Sequence, residues 1–217
     1  SILPNDTRAQ YRYAQFLYLS GDYEKAIDEL NKAQTDSYVK DRLLGYSLIG
    51  VGKLDEGKAK LDAYFKRVPE DKVIKEDYEA LGNYEMGKAN YDEAIANYRK
   101  MLDKEAEQNP DNARDADDFF EDMAKAFNKK KDYQKEMILR QAIIKEKMAK
   151  GQDVPYQRYF NLGFAAYRSK NYEDAKAAFT KVAELNPEFE SGWFWLGSCE
   201  YKLSGGSDAE GWPVAPY

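Results

Sequence analysis

The chain has 217 residues, 43% apolar and 33% charged, with a formal charge of −6 and both signs mixed along its length. It contains no histidine and a single cysteine, Cys199. The commonest general base near neutral pH and the commonest metal ligand are therefore absent, and no internal disulfide can form. No basic stripe marks a phosphate-binding face, and no run of about 18 apolar residues marks a membrane span, so neither a nucleic-acid partner nor a transmembrane segment is expected.

The chain opens with Ser1-Ile2-Leu3-Pro4 and lacks an initiator Met, which reads as a processed or trimmed product. From there the hydrophobic pattern alternates between two kinds of helix. The first kind, helix A, is expected over 7–20, 38–51, 75–88, 115–130, 156–169 and 190–203. The second, helix B, is expected over 23–35, 55–67, 91–108, 133–149 and 172–185.

Between each A and B lies a short polar turn, then a large anchor, two charged or polar residues and usually a small residue. The first three are Gly21-Asp22-Tyr23-Glu24-Lys25-Ala26, Gly52-Lys53-Leu54-Asp55-Glu56-Gly57 and Ala89-Asn90-Tyr91-Asp92-Glu93-Ala94. Lys131-Asp132-Tyr133-Gln134-Lys135-Glu136 and Lys170-Asn171-Tyr172-Glu173-Asp174-Ala175 follow. Asp22, Asn90, Asp132 and Asn171 stand where a side chain would cap the next helix.

Each helix A carries a large residue followed by a small one: Tyr13-Ala14, Leu44-Gly45, Leu81-Gly82, Met123-Ala124, Leu162-Gly163 and Leu196-Gly197. The small residues are spaced by 31, 37, 42, 39 and 34 positions. A small residue there lets two helices cross closely, and a bulky one would overpack by about 1–3 kcal/mol.

Over residues 7–203 this pattern resembles the tetratricopeptide repeat, whose period is about 34 residues. The resemblance implies an all-α, right-handed superhelical solenoid of antiparallel helix pairs. It would form a single domain, 1–217, with repeats at about 7–37, 38–74, 75–114, 115–155 and 156–189 and a partial sixth at 190–217.

The fourth repeat departs most from the family. Glu136 holds its small position and Arg140 its large one, and a shift of one residue would turn Met137 and Ile144 inward instead. In the sixth unit Trp193, three positions before Leu196, is assigned to packing. The chain then enters Ser204-Gly205-Gly206-Ser207, and Gly211-Trp212-Pro213-Val214-Ala215-Pro216-Tyr217 cannot be a helix interior. A second helix of that repeat is missing or cut off. This ending resembles that of bacterial cell-envelope tetratricopeptide proteins, which implies a periplasmic or outer-envelope location.

The resemblance also implies that helix A lines a concave groove that holds a protein or peptide partner. Positions turned away from the packing residues give Tyr11, Tyr18, Arg42, Tyr46 and Asn83 in the first three repeats. In the last two they give Phe160, Phe164, Tyr167, Phe194 and Tyr201, with Arg168 alongside. Ile49, Met86 and Ser198 belong to the same face. Two readings of the aromatics stay open: a partner-binding surface, or core covered by the Trp-Pro tail.

One tetratricopeptide mode grips a carboxylate tail with a Lys/Asn/Lys/Arg set. Asn83 and Asn161 stand near suitable positions, but the Lys residues are absent and Glu79 has the opposite charge. That mode is not expected here. Asp111, Asp115, Asp117, Asp118, Glu121 and Asp122 lack the spacing and the glycine of a calcium loop, and read as acids opening the fourth helix A. No phosphate loop, cofactor motif or metal motif occurs. The expected function is a non-catalytic interaction scaffold, with self-association or a structural role in a larger envelope assembly as the alternative.

Overall fold

The computed structural model describes residues 7–33 and 36–206. Among them the regular elements are eleven α-helices and two single turns of 3-10 helix. The chain divides into two compact units, Ser1–Arg114 and Asp115–Tyr217.

The first unit holds α1 (Thr7–Leu19), α2 (Tyr23–Lys32), α3 (Tyr38–Gly50), α4 (Leu54–Phe65), α5 (Lys75–Gly87) and α6 (Tyr91–Gln108). The second holds α7 (Ala116–Lys129), α8 (Tyr133–Ala149), α9 (Tyr156–Arg168), α10 (Tyr172–Leu185) and α11 (Glu190–Leu203). Helices pack as consecutive pairs, α1 on α2, α3 on α4 and α5 on α6, then α7 on α8 and α9 on α10, with α11 against α10. The expected all-α architecture of helix pairs is what forms.

The pairs are antiparallel because the turn between them is short and closed. Three residues separate helix A from helix B at every joint, and one of them has left-handed backbone. At Gly21 and Gly52 that residue is glycine, with φ of 80° and 83°. At Ala89, Lys131 and Lys170 it carries a side chain, with φ of 61°, 61° and 65°. The following N–H then reaches back five residues to satisfy a helix-end carbonyl. Asp22 donates to Leu17 O at 2.9 Å, Lys53 to Leu48 O at 2.8 Å and Asn171 to Ala166 O at 2.9 Å.

The expected side-chain caps form at only one of four joints. Asp132 accepts from the Lys135 N–H at 3.3 Å. At the other three the side chain takes a different polar partner: Asp22 pairs with Lys25, Asn90 donates to Glu85 and Asn171 donates to Gln134. Side-chain caps appear instead at helix A starts, where Ser37 accepts from Val39 N and Asp115 from Asp117 N.

The large-small pairs do the packing. A Cβ on Gly82 would lie 2.5 Å from the Tyr98 ring, and one on Gly163 would lie 2.8 Å from the Phe179 ring. In these two pairs helix B therefore rests an aromatic ring directly on helix A backbone, and in the α3–α4 pair Leu61 takes that place on Gly45. Ala14, Ala124 and Ala175 are equally buried.

The fourth repeat keeps the family register. Glu136 and Arg140 are 3% and 8% exposed, at the small and large positions where the unshifted pattern puts them. Met137 and Ile144 are buried as well, in the cluster around α9 and α10. Both readings of α8 hold at once because this helix packs on α7 with one face and on α9 with another.

The buried charges are paired. Arg140 donates through Nε to Glu136 at 2.9 Å and through Nη1 to Glu121 at 3.0 and 3.1 Å. Asn128 donates to the other Glu136 oxygen at 2.7 Å.

Trp193 is not a packing residue. It is 52% exposed, and its indole N–H donates to Pro187 O at 2.8 Å. The buried face of α11 runs through Gly192, Ser198 and Cys199. That face carries Trp195 inward and leaves Trp193 at its margin. The Ser207–Tyr217 segment, with its Trp-Pro tail, lies outside the described residues, as does Ser1–Asp6.

The Glu136–Arg140 pair makes the register testable. Arg140→Met alone strands a buried carboxylate and should cost about 3–5 kcal/mol, whereas Glu136→Ala with Arg140→Leu restores an apolar repeat and should be neutral or stabilising. Urea unfolding of the two variants decides this; equal losses in both would contradict the paired-charge account.

Candidate functional site

In the first unit the site is organised by a buried carboxylate. Asp77 lies in the first turn of α5 and is 0% exposed. It accepts a short hydrogen bond from the Tyr46 hydroxyl on α3. It also accepts from the Tyr64 hydroxyl on α4 and from the Ile74 backbone N–H, both at 2.8 Å. Arg42 lays its guanidinium 5.4 Å from the centre of the Tyr64 ring and donates to its hydroxyl at 3.5 Å.

One carboxylate thus ties α3, α4 and the start of α5 together. Burial, and next the negative charge of Asp77, push the Tyr46 hydroxyl far above the ordinary tyrosine range. Tyr64 is raised by burial and by its hydrogen bond to Asp77. Both rings are therefore fixed donors.

Beside this knot α1, α3 and α5 enclose a cleft of about 250 Å³, with Tyr23 of α2 on its wall. Tyr18, Tyr46, Glu76, Glu79 and Asn83 line it. The Tyr18 ring sits 5.5 Å from Tyr23 and 5.7 Å from Tyr46, tilted to both. Burial raises Tyr18 to about 12, with Glu79, Tyr23 and Glu76 adding to the effect. Glu79 is raised by burial and then by Glu76.

Of the first-unit groove residues, Tyr18, Tyr46 and Asn83 meet at this cleft. Asn83 also accepts from Tyr98 at 2.8 Å. Tyr11 is half-buried close to Arg42. Tyr46, Ile49, Met86 and Ser198 are buried, at 7%, 8%, 5% and 3% exposure, so they are core first. Tyr46 and Ile49 still show an edge to the cleft.

In the second unit the aromatics join through a residue absent from the sequence-derived set. Trp195 stands edge-on to Phe164 at 4.8 Å, to Tyr167 at 5.1 Å and to Phe194 at 5.4 Å, and stacks on buried Phe179 at 6.1 Å. Phe160 stacks on Phe164 at 6.0 Å. The Arg168 guanidinium lies over Phe164 at 4.5 Å and over Tyr133 at 5.3 Å.

Phe160, Phe164, Tyr167 and Trp195 pack on the buried cluster around α9 and α10 and stay half-buried, as does Phe194. Adjoining them is a cleft of about 360 Å³ lined by Lys125, Asn128, Lys129, Glu136, Arg140, Phe160, Asn161 and Phe164. Tyr201 sits at the other end of α11, its ring over Gly206.

Two family models fall at the ends of the described fold. One tetratricopeptide-repeat model matches residues 4–38, covering α1 and α2, and another matches residues 156–189, covering α9 and α10. Both segments match the tetratricopeptide repeat.

Among curated relatives, Tetratricopeptide repeat protein 12 of Homo sapiens is 28% identical over 128 residues, and that of Mus musculus is 29% identical over 128 residues. The match takes in 58% of this chain and 16% of either relative, so the chain spans a small part of their length. Among solved structures, the C-terminal part of a repeat-containing protein from Cytophaga hutchinsonii is 23% identical, covering 90% of this chain and 72% of that one, at a TM-score of 0.46. A tetratricopeptide repeat protein from Parabacteroides merdae is 14% identical, with 90% and 72% coverage and a TM-score of 0.42.

In this repeat frame the remaining polar clusters are accounted for locally. Asp115 caps α7, Asp117 pairs with Lys147, and Glu121 pairs with Arg140. Among the described residues no group of three or more acids, Cys or His is placed to hold a metal, and no helix is long and apolar enough to cross a membrane. Cys199 is fully buried, and burial pushes its thiol up to about 12, which keeps it protonated and unreactive.

Asp77 carries the first unit's geometry, and its removal orphans three donors. Asp77→Ala should therefore cost about 2–4 kcal/mol and Tyr46→Phe about 1 kcal/mol, measured by urea unfolding. A loss below that of Tyr46→Phe would show that the carboxylate is not the organising group.

Proposed function

We propose that the chain is a non-catalytic interaction scaffold that holds an extended segment of a partner protein. The aromatic patch of the second unit is its main anchor. Phe160, Phe164, Tyr167 and Phe194 gather around Trp195, and Arg168 covers one edge. The observation that carries this reading is a set of rings held rigidly from behind yet open in front, beside a cleft furnished with amide and lysine donors. Rigid, half-exposed aromatics with a stacked arginine are the chemistry that concentrates binding energy in protein interfaces. The donors of Lys129 and Asn161 suit the carbonyls or a carboxylate of an extended chain.

In the first unit Tyr11, Tyr18, Arg42, Tyr46 and Asn83 form the lesser contact set, and Tyr201 marks the far end of the second. The repeat family supports a role in protein–protein interaction. Selection of a random peptide library on the whole chain tests the anchor. Selected peptides should lose about tenfold or more in affinity for the Phe164→Ala, Phe194→Ala variant, with its helix content verified by circular dichroism. Unchanged affinity in a folded variant would remove the aromatic patch from the site.

A second reading, self-association within a larger envelope assembly, is favoured by the outer face of α1. Tyr13, Phe16 and Leu19 recur there at 39%, 62% and 74% exposure. Exposed apolar side chains at such spacing mark a contact surface. Light scattering should show the chain associating as its concentration rises, and Phe16→Ser with Leu19→Ser should abolish the effect. A strict monomer at every concentration refutes this reading.

A further inference from the structure

The cleft of the first unit differs in chemistry from the patch of the second. Its wall is three tyrosine rings, Tyr18, Tyr23 and Tyr46, arranged at about 5.5–5.7 Å from ring to ring with mutual tilts above 40°. Its floor and rim carry two carboxylates, Glu76 and Glu79, one helical turn apart on α5. No cation lines it.

The nearby cations are committed elsewhere. Lys75 and Arg114 both bind Glu105, at 2.8 and 2.7 Å, and reach Glu79 only through space. Arg42 is held on Tyr64. Neither Glu76 nor Glu79 has an ion-pair partner within 4 Å among the described residues.

Two features strengthen the negative character of the rings. Tyr46 gives its hydroxyl proton in a hydrogen bond to Asp77, which raises electron density on the ring it presents to the cleft. Gly50 has no Cβ, and the Tyr23 ring occupies that space, 2.8 Å from where a Cβ would stand, so the ring lies flat on α3. Electron-rich faces converging with carboxylates in a partly desolvated recess are what a compact organic cation seeks.

The size is also selective. A volume of about 250 Å³ holds the end of one long side chain, not a helix or a folded surface. We propose that this cleft is a cation-accepting pocket that takes the ammonium end of a lysine side chain from a partner polypeptide. Its residues are separate from the aromatic anchor of the second unit, and it can be read with a probe that ignores that anchor.

The experiment uses the whole chain with isotope-labelled tyrosine rings, titrated at low salt with the blocked tripeptide acetyl-Gly-Lys-Gly-amide. Its norleucine counterpart keeps the aliphatic length and lacks the charge. The lysine peptide should shift the Tyr18 and Tyr23 ring signals and saturate on the order of millimolar, while the norleucine peptide leaves them in place.

Glu76→Gln with Glu79→Gln is isosteric and should weaken lysine-peptide binding about tenfold or more with the unfolding midpoint retained. The Phe164→Ala, Phe194→Ala variant should bind the lysine peptide as the parent does, which separates failure of this proposal from failure of the anchor. Equal response to lysine and norleucine peptides, no response to lysine, or full binding by the folded double-glutamine variant would each overturn the proposal.

Discussion

Helix A and helix B of each pair come close enough for a side chain of one to rest on the backbone of the other, and the rest of the fold follows from that approach. Tyr98 lies on Gly82 and Phe179 on Gly163, where no Cβ fits without movement. Interiors of this density respond to a single added methylene. The ring that fills the space at Gly163 is also the one on which Trp195 stacks and against which Phe160 packs edge-on. The exposed aromatic patch is thus the outer layer of the same packing, held in place by a buried ring that glycine admits.

Where the chain departs from apolar packing it substitutes closed polar networks. Glu136, Arg140, Glu121 and Asn128 replace a small-and-large pair in the second unit. Asp77 with Tyr46 and Tyr64 does comparable work in the first. Every buried side-chain polar atom among the described residues has a partner. Such networks contribute less to net stability than an apolar core of equal volume, but they favour one arrangement, because any other leaves a buried polar group without a partner.

Much of this architecture is legible in the sequence because the repeat pattern records residue size. Helix limits such as 91–108, 133–149 and 172–185 match α6, α8 and α10. What the pattern does not record is which partner a polar side chain chooses. Asp77 reads on the sequence as one more acid opening a helix, and nothing local reveals that two tyrosines from other helices converge on it. Asp22, Asn90 and Asn171 stand at cap positions and bond elsewhere. Trp193 and Trp195 differ by two positions in one run of aromatics. Only the buried spacing of Gly192 and Cys199, three before and four after Trp195, separates the inward ring from the outward one. Phe164, Tyr167 and Phe194 are named by their place on helix A, whereas Trp195, which stands edge-on to all three, is not.

The three-residue joint between helix A and helix B carries a further meaning. It has the same length at all five joints, whereas helix B ranges from 10 to 18 residues. The links from helix B to the next helix A vary too. The irregularity in repeat spacing therefore accumulates after the joint, in helix B and in the link that follows it. Helix A and the joint after it behave as a part of nearly fixed dimensions, and helix B with the B–A passage is where length varies from repeat to repeat. Two proteins built from such parts can keep every joint superimposable while their partner-facing surfaces drift out of phase.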